Sequence, residues 1–153
     1  HGVYSVLGNH DHWLNKEGHS LSCLKKSGQD VRHRAVPINR GSDRIWIGGA
    51  GDYMRDELGI DKAFKNTPHR DCKILLSHNP AAADTEFDTK IDLMISGHTH
   101  GGQIVIPPFA SKMSGLQKRS RTNVYISKGI GWYFLPIRIN CTPEISVLKL
   151  VPV

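Results

Sequence analysis

Cysteine is scarce in this chain: three in 153 residues, Cys23, Cys72 and Cys141. An odd, widely separated set with no C-x-x-C spacing excludes a disulfide framework and a zinc knuckle, and favours a reducing compartment. No apolar run approaches the roughly 18 residues a membrane-spanning helix needs, and no signal peptide is expected. The chain opens on His1 rather than Met. A piece of a longer protein is therefore expected, with any targeting segment outside it, and the location left open is cytoplasmic or peripheral at a membrane. Aromatic residues make up only 7%, and no basic strand is studded with them in the way that stacks bases, so nucleic acid is not the expected partner. Internal repeats and low-complexity tracts are absent.

What is present has the balance of a globular domain: 39% hydrophobic and 22% charged residues. A chain of this length buries enough surface for a real core, and one domain over residues 1–153 is expected. The net charge of +6 suits an anionic partner without choosing among phosphate, nucleic acid and lipid headgroup.

Short apolar runs alternate with glycine-rich or polar turns. Strands are expected at residues 3–7, 45–47, 73–76, 91–95 and 124–126, and over the alternating stretch 137–150. Helices are expected at 20–26, where Leu21 and Leu24 have helical spacing, and at 56–65, before Pro68. Many strands with two or three helices give an α/β or α+β class.

Three of these strands end alike. Leu7 is followed by Gly8-Asn9-His10-Asp11, Leu76 by Ser77-His78-Asn79-Pro80, and Ile95 by Ser96-Gly97-His98-Thr99-His100-Gly101-Gly102. In open α/β sheets, ligands bind in the crevice beyond such ends. His98 and His100 would share a face on a regular strand and could take one metal together. On a turn they would diverge and could serve two. Imidazole suits zinc, iron, manganese or nickel, and an amide oxygen such as that of Asn9 suits harder cations. A carboxylate beside an imidazole, as in His10-Asp11, can fix its tautomer and make it a proton donor near neutral pH.

These motifs, in this order, resemble those of the calcineurin-like metallophosphoesterases. So do Ser127-Lys128-Gly129-Ile130-Gly131, Pro136-Ile137-Arg138-Ile139-Asn140-Cys141 and Pro143-Glu144-Ile145, which are similar to the ending of the bacterial YkuE-like and YaeI-like branch. The resemblance implies a four-layer α/β/β/α sandwich and a site of two divalent cations, of manganese, zinc, iron or nickel, bridged by an aspartate and a hydroxide. It implies Asn9, His78 and His98 on one cation and His100 on the other. His10 would protonate the leaving oxygen, with Asp11 orienting it. The reaction implied is hydrolysis of a phosphoester, most simply a phosphodiester. A nucleotide-sugar or lipid pyrophosphate at a membrane surface is the alternative substrate.

The family's opening motifs, D-x-H and G-D-x-x-D, do not occur upstream of Asn9, and Gly51-Asp52 lies downstream and lacks the second aspartate. The chain therefore reads as the C-terminal portion of such an enzyme, an N-terminally truncated sandwich. Alone it is expected to hold at most one cation, weakly, and to turn over little substrate, and a non-catalytic metal- or nucleic-acid-binding module is the reading from a different class. Exposed strand edges could drive self-association.

Other residues carry plainer expectations. His33 and His69 read as surface residues. His12 and Trp13 read as loop packing or substrate contact, and Asn79-Pro80 as a turn that aims His78. Lys112, Lys118, Arg119 and Arg121, in a stretch with Pro107, Pro108, Ser111, Ser114 and Gly115, read as a solvated loop or as a basic rim facing an anionic lipid or substrate phosphate. Arg138 reads as an ion-pair partner of a carboxylate such as Glu144 or as a phosphate contact. Trp46, Trp132 and Phe134 read as core or rim packing.

Overall fold

A computed structural model describes residues 1–13, 17–106 and 113–151. In chain order they form β1 (Tyr4–Ser5), α1 (Glu17–Ser27), β2 (Gln29–Asp30), β3 (Ala35–Arg40), β4 (Asp43–Gly49), α2 (Ile60–Phe64), β5 (Cys72–Leu76), β6 (Leu93–Ser96), β7 (Gly115–Arg119) and β8 (Thr122–Ile126). Six strands make one sheet in the order β3-β4-β5-β6-β8-β7, and β1 and β2 pair in parallel. The four central strands β4, β5, β6 and β8 are parallel, and the hairpin partners β3 and β7 run antiparallel at the edges. The chain adopts the expected α/β class, with a mixed sheet and helices.

Parallel order fixes the functional end. Every central strand points its C-terminus the same way, so the segments after Gly49, Leu76, Ser96 and Ile126 gather at one edge of the sheet. The β1–β2 pair is joined to that edge by a bridge between Arg32 and Gly49 and a hydrogen bond from the His33 N–H to the Gly49 carbonyl, 2.8 Å.

Beneath that edge, Leu75, Met94 and Val124 sit side by side in register and are fully buried. They pack with Ile60, Ala63 and Phe64 of α2 and with Ala82 and Ala83 of the 3-10 turn Pro80–Asp84. Each of the leucine, methionine, valine, isoleucine and phenylalanine side chains among them contributes roughly 1.5–3 kcal/mol by leaving water. The apolar runs of β5 and β6 are thus a rigid base for the loops they carry.

Several elements differ from the sequence reading. The strand expected at 3–7 is reduced to Tyr4–Ser5, because β2 offers it only two paired residues. The helix expected at 56–65 begins at Ile60: Gly59 takes a left-handed φ of 56°, and the amides of Arg55 and Asp56 already bond to the Asp52 carbonyl in a preceding turn. Edge strand β3, which contains Pro37, was not anticipated. The basic stretch expected as a loop supplies β7 and the β7–β8 hairpin. Over 137–150 no strand forms among the described residues. Ile139 makes a single bridge with Ile104, and the Glu144 amide bonds to Gly129.

Candidate active site

Three loop tips meet at the common edge. Val6 and Leu7 carry the chain off β1 into Gly8-Asn9, β5 delivers Ser77-His78, and β6 delivers Gly97-His98. Backbone bonds tie the last two together: Ser77 donates to the Ile95 carbonyl at 3.1 Å and Gly97 to the His78 carbonyl at 3.1 Å. Gly8 lets the first tip come close. A Cβ there would stand 2.7 Å from His78 Nδ1, so only glycine allows the imidazole to lie against this backbone.

The result is a compact donor set. His78 Nε2 lies 3.0 Å from Asn9 Oδ1 and 3.1 Å from His98 Nδ1, and the two rings meet edge to face with centroids 4.9 Å apart. Both imidazoles are held below the ordinary histidine range. For His78 the causes are burial and then the neighbouring His98, opposed by the charges of Asp52 and Asp11. For His98 the cause is burial, opposed first by Asp52 and reinforced by His100 and His10. Both rings are therefore neutral at pH 7, the form that binds a cation.

Two nitrogens and an amide oxygen fit a divalent transition ion. The adjacent donors, 3.0 and 3.1 Å apart, are close enough to share one cation at about 2.1 Å from each. Among the described residues no three His, Cys, Asp or Glu side chains cluster as a metal site. The histidine pair reaches three donors only through Asn9.

His100 lines the same cleft but belongs to a different local structure. His98 has a φ of 66° and His100 of 51°, so the pair sits on a turn and does not share a strand face. The cleft encloses about 800 Å³ and is lined by Asn9, His10, His78, His98 and His100, with Trp13, Met54, Ile104, Trp132 and Tyr133 around them. His10 is exposed, stacked on Trp13 with centroids 4.1 Å apart and edge-on to Tyr133 at 5.7 Å. Asp11 does not hydrogen-bond to it. Its carboxylate accepts from the Gly8 amide at 2.8 Å and the Ser20 hydroxyl at 2.7 Å, so it braces the loop on which His10 stands.

The other candidates divide clearly. Trp13 lines the cleft, whereas His12 turns to Glu17 at 3.4 Å. His33 is not a free surface residue, since its Nε2 lies 2.6 Å from the Glu57 carbonyl, while His69 is exposed. Asn79 caps the 3-10 turn behind His78, its side chain accepting from the Ala81 amide. Trp46 packs partly on the core, Trp132 is exposed and lines the cleft, and Phe134 is exposed outside its lining. Lys112, with Pro107, Pro108 and Ser111, lies outside the described residues. Lys118, Arg119 and Arg121 sit at the β7–β8 turn, before the N-terminus of β8 and thus at the end of the sheet away from His98. Lys118 bonds to the Arg121 carbonyl, Arg119 pairs with Asp84 at 2.9 Å, and Arg121 lies over the Phe87 ring. They do not face a substrate phosphate in this cleft.

Sequence reasoning missed Tyr133, Met54 and Ile104 as cleft residues, and it set Asp52 aside. Asp52 follows the C-terminal end of β4, is fully buried, and leaves Oδ2 without a hydrogen-bond partner. The rule that strand ends carry function would have marked it. Tyr133 has no comparable signal, since it arrives from a segment without regular structure.

The family model for calcineurin-like phosphoesterases matches residues 1–102, which include all three loop tips. The chain belongs to that family. It is 31% identical to phosphodiesterase YaeI of Escherichia coli over 97% of its own length and 58% of that protein's. It is 30% identical to the uncharacterized metallophosphoesterase YkuE of Bacillus subtilis over 97% of its length and 56% of the relative's. A bovine transmembrane protein with a metallophosphoesterase domain is 30% identical over 97% of this chain and 38% of the relative. The chain thus spans less than two thirds of these relatives. No solved structure matches it significantly. Among the described residues no helix is long and apolar enough to cross a membrane.

Proposed function

We propose that this chain carries the cation-holding and proton-donating part of a metal-dependent phosphodiesterase. The observation that carries the reading is the meeting of Asn9 Oδ1, His78 Nε2 and His98 Nδ1 within 3.1 Å steps on the wall of a cleft that also presents His10 and His100. The name phosphodiesterase borne by one relative supports it.

Asn9, His78 and His98 hold one divalent cation, and His100 serves a second position beside it. Bound there, such ions polarise a phosphoryl oxygen and acidify water. His10, propped between Trp13 and Tyr133, delivers a proton to the leaving oxygen. Asp11 keeps that loop in place through Gly8 and Ser20. Three donors serve the first position and one serves the second, so these residues alone retain at most one cation, weakly, and their turnover is slow. A full second position takes donors beyond the four named here.

The test is metal analysis and hydrolysis of an aryl phosphodiester with added Mn(II) or Zn(II). We expect no more than one ion per chain and slow, chelator-sensitive turnover that His78→Ala abolishes. Turnover indifferent to chelator would contradict the reading, and fast turnover at two ions per chain would contradict its one-ion part.

A second reading concerns the substrate. Trp13, Met54, Ile104, Trp132 and Tyr133 are all at least 41% exposed and line the cleft. Such an apolar wall favours a lipid phosphodiester or lipid pyrophosphate, reached at an anionic membrane surface, over a small hydrophilic ester. Faster turnover of a long-chain than of a short-chain diester would support it, and equal rates would remove it.

A further inference from the structure

The turn that carries His100 is held in an unusual way. Four consecutive residues take a positive φ: His100 at 51°, Gly101 at 64°, Gly102 at 87° and Gln103 at 52°. Two of them are not glycine, and such a run persists only where its surroundings over-determine it. The surroundings come from a segment about thirty to forty residues later in the chain.

Arg138 is at their centre. Its Nη1 donates to the His100 carbonyl at 3.2 Å and the Cys141 carbonyl at 3.5 Å. Its Nη2 donates to the Lys128 carbonyl at 2.8 Å, and Nε donates to the Gly131 carbonyl at 3.0 Å, which Nη2 also reaches. Among the described residues no carboxylate pairs with it. Glu144, the partner expected from sequence, instead takes the Lys128 ammonium, the Lys128 amide and the Tyr125 hydroxyl. Arg138 is neither a surface ion pair nor a phosphate contact, but a guanidinium seated in a ring of main-chain oxygens.

Its neighbours complete the hold. The buried Cys141 thiol donates to the His100 and Gly101 carbonyls at 3.2 and 3.3 Å. The Gln103 amide donates to the carbonyls of Tyr133 and Leu135 and accepts from the Tyr133 amide at 2.6 Å. Those last bonds set the tyrosine that meets His10 edge-on.

We propose that Arg138 is a positioning residue of the site: by forking across the carbonyls of His100, Lys128, Gly131 and Cys141, it fixes the positive-φ turn that aims His100 into the cleft. The proposal rests on the phosphodiesterase reading for its meaning, but its geometry can be tested without catalysis. A guanidinium presents five donors in a planar fork, whereas an ammonium is a single point with three. Lysine therefore keeps the charge and loses the function.

The experiment uses the metal-free protein and its Arg138→Ala and Arg138→Lys variants, with backbone and imidazole resonances followed by NMR before and after Zn(II) is added. In wild type, residues 100–103 give the shifts and couplings of positive φ. In both variants we expect those signatures to vanish and the His100 imidazole resonances to shift, while Asn9, His78 and His98 respond to Zn(II) as in wild type. Turnover of an aryl diester should fall about 10–100-fold in kcat, the usual cost of removing a group that supports ligands, with KM nearly unchanged. Should Arg138→Ala fail to fold, Arg138→Lys carries the comparison. A variant that folds and keeps the 100–103 signature and the wild-type His100 resonances would overturn the proposal, and so would a variant that keeps the 100–103 signature alone. A wild-type protein that takes up no cation would instead defeat the phosphodiesterase reading, and the backbone signatures would still decide the role of Arg138.

Discussion

His78 and His100 face one cleft from opposite kinds of support. His78 stands two residues beyond β5, on backbone bonded to β6 and over the fully buried row of Leu75, Met94 and Val124. His100 stands on a strained turn whose stability is borrowed from Arg138 and Cys141. Each left-handed non-glycine residue costs of order 1–3 kcal/mol, and a typical hydrogen bond returns about 0.5–1.5 kcal/mol. The first imidazole is thus placed by the core, the second by a set of individually replaceable contacts. The comparison teaches that one half of the site is as stable as the sheet, while the other can be loosened without unfolding it.

Four changes would sharpen or break that contrast. The largest effect belongs to His78→Ala, which removes a donor outright. It should weaken Zn(II) or Mn(II) binding by more than the roughly 100-fold upper end seen for groups that merely support ligands, with little change in the thermal unfolding midpoint. Calorimetric titration measures the first and a melting curve the second. Next comes Gly101→Ala. A Cβ there would stand 2.6 Å from Cys141 Sγ and 2.7 Å from Lys128 Cγ, at a φ of 64°. We expect a loss of about 1–3 kcal/mol in urea unfolding and a displaced His100, with His78 and His98 still binding their cation. Loss of cation binding at His78 and His98 as well would show that the two halves are not separable.

Acidity should act on the first half. The folded protein keeps His78 and His98 neutral below the ordinary imidazole value of 6.5, whereas the unfolded chain protonates them there. The unfolded state then binds more protons, so these two groups make stability fall as pH drops below 6.5 and leave it unchanged above. Unfolding of metal-free protein at pH 5.5 and 7.5 measures this, and replacing both histidines by glutamine should flatten the difference. The smallest effect is Cys141→Ala. Losing the two thiol contacts should lower stability by about 0.5–1.5 kcal/mol and broaden the His100 resonances, with no effect on His78.

The same contrast explains what could be read from the chain itself. The tips Gly8-Asn9, Ser77-His78 and Gly97-His98 follow apolar runs and lie within the quoted motifs, so both their residues and their meeting point were legible. Burial fixes those strands locally, and parallel order then brings their ends together. The support of His100 was not legible, because a guanidinium bonded to main-chain carbonyls leaves no pattern in side-chain types. Arg138 near Glu144 suggests an ion pair, and only coordinates show the glutamate bound to Lys128 and Tyr125 instead. The alternation Ile137, Ile139, Ile145, Val147 suggests a strand for a related reason. Side-chain alternation reports a two-sided environment, whereas a strand also needs a neighbour's amides and carbonyls, and here one bridge supplies them. The edge strands β3 and β7 escaped because edges are polar and tolerate proline.

The central claim is that Asn9, His78 and His98 grip one cation together. The most direct test follows the ¹⁵N resonances of each imidazole while Zn(II) is added to the metal-free protein. The account predicts that His78 binds through Nε2 and His98 through Nδ1, that both saturate at one equivalent, and that Asn9→Ala weakens both together. Binding through the opposite nitrogens, or saturation of one ring without the other, would contradict it.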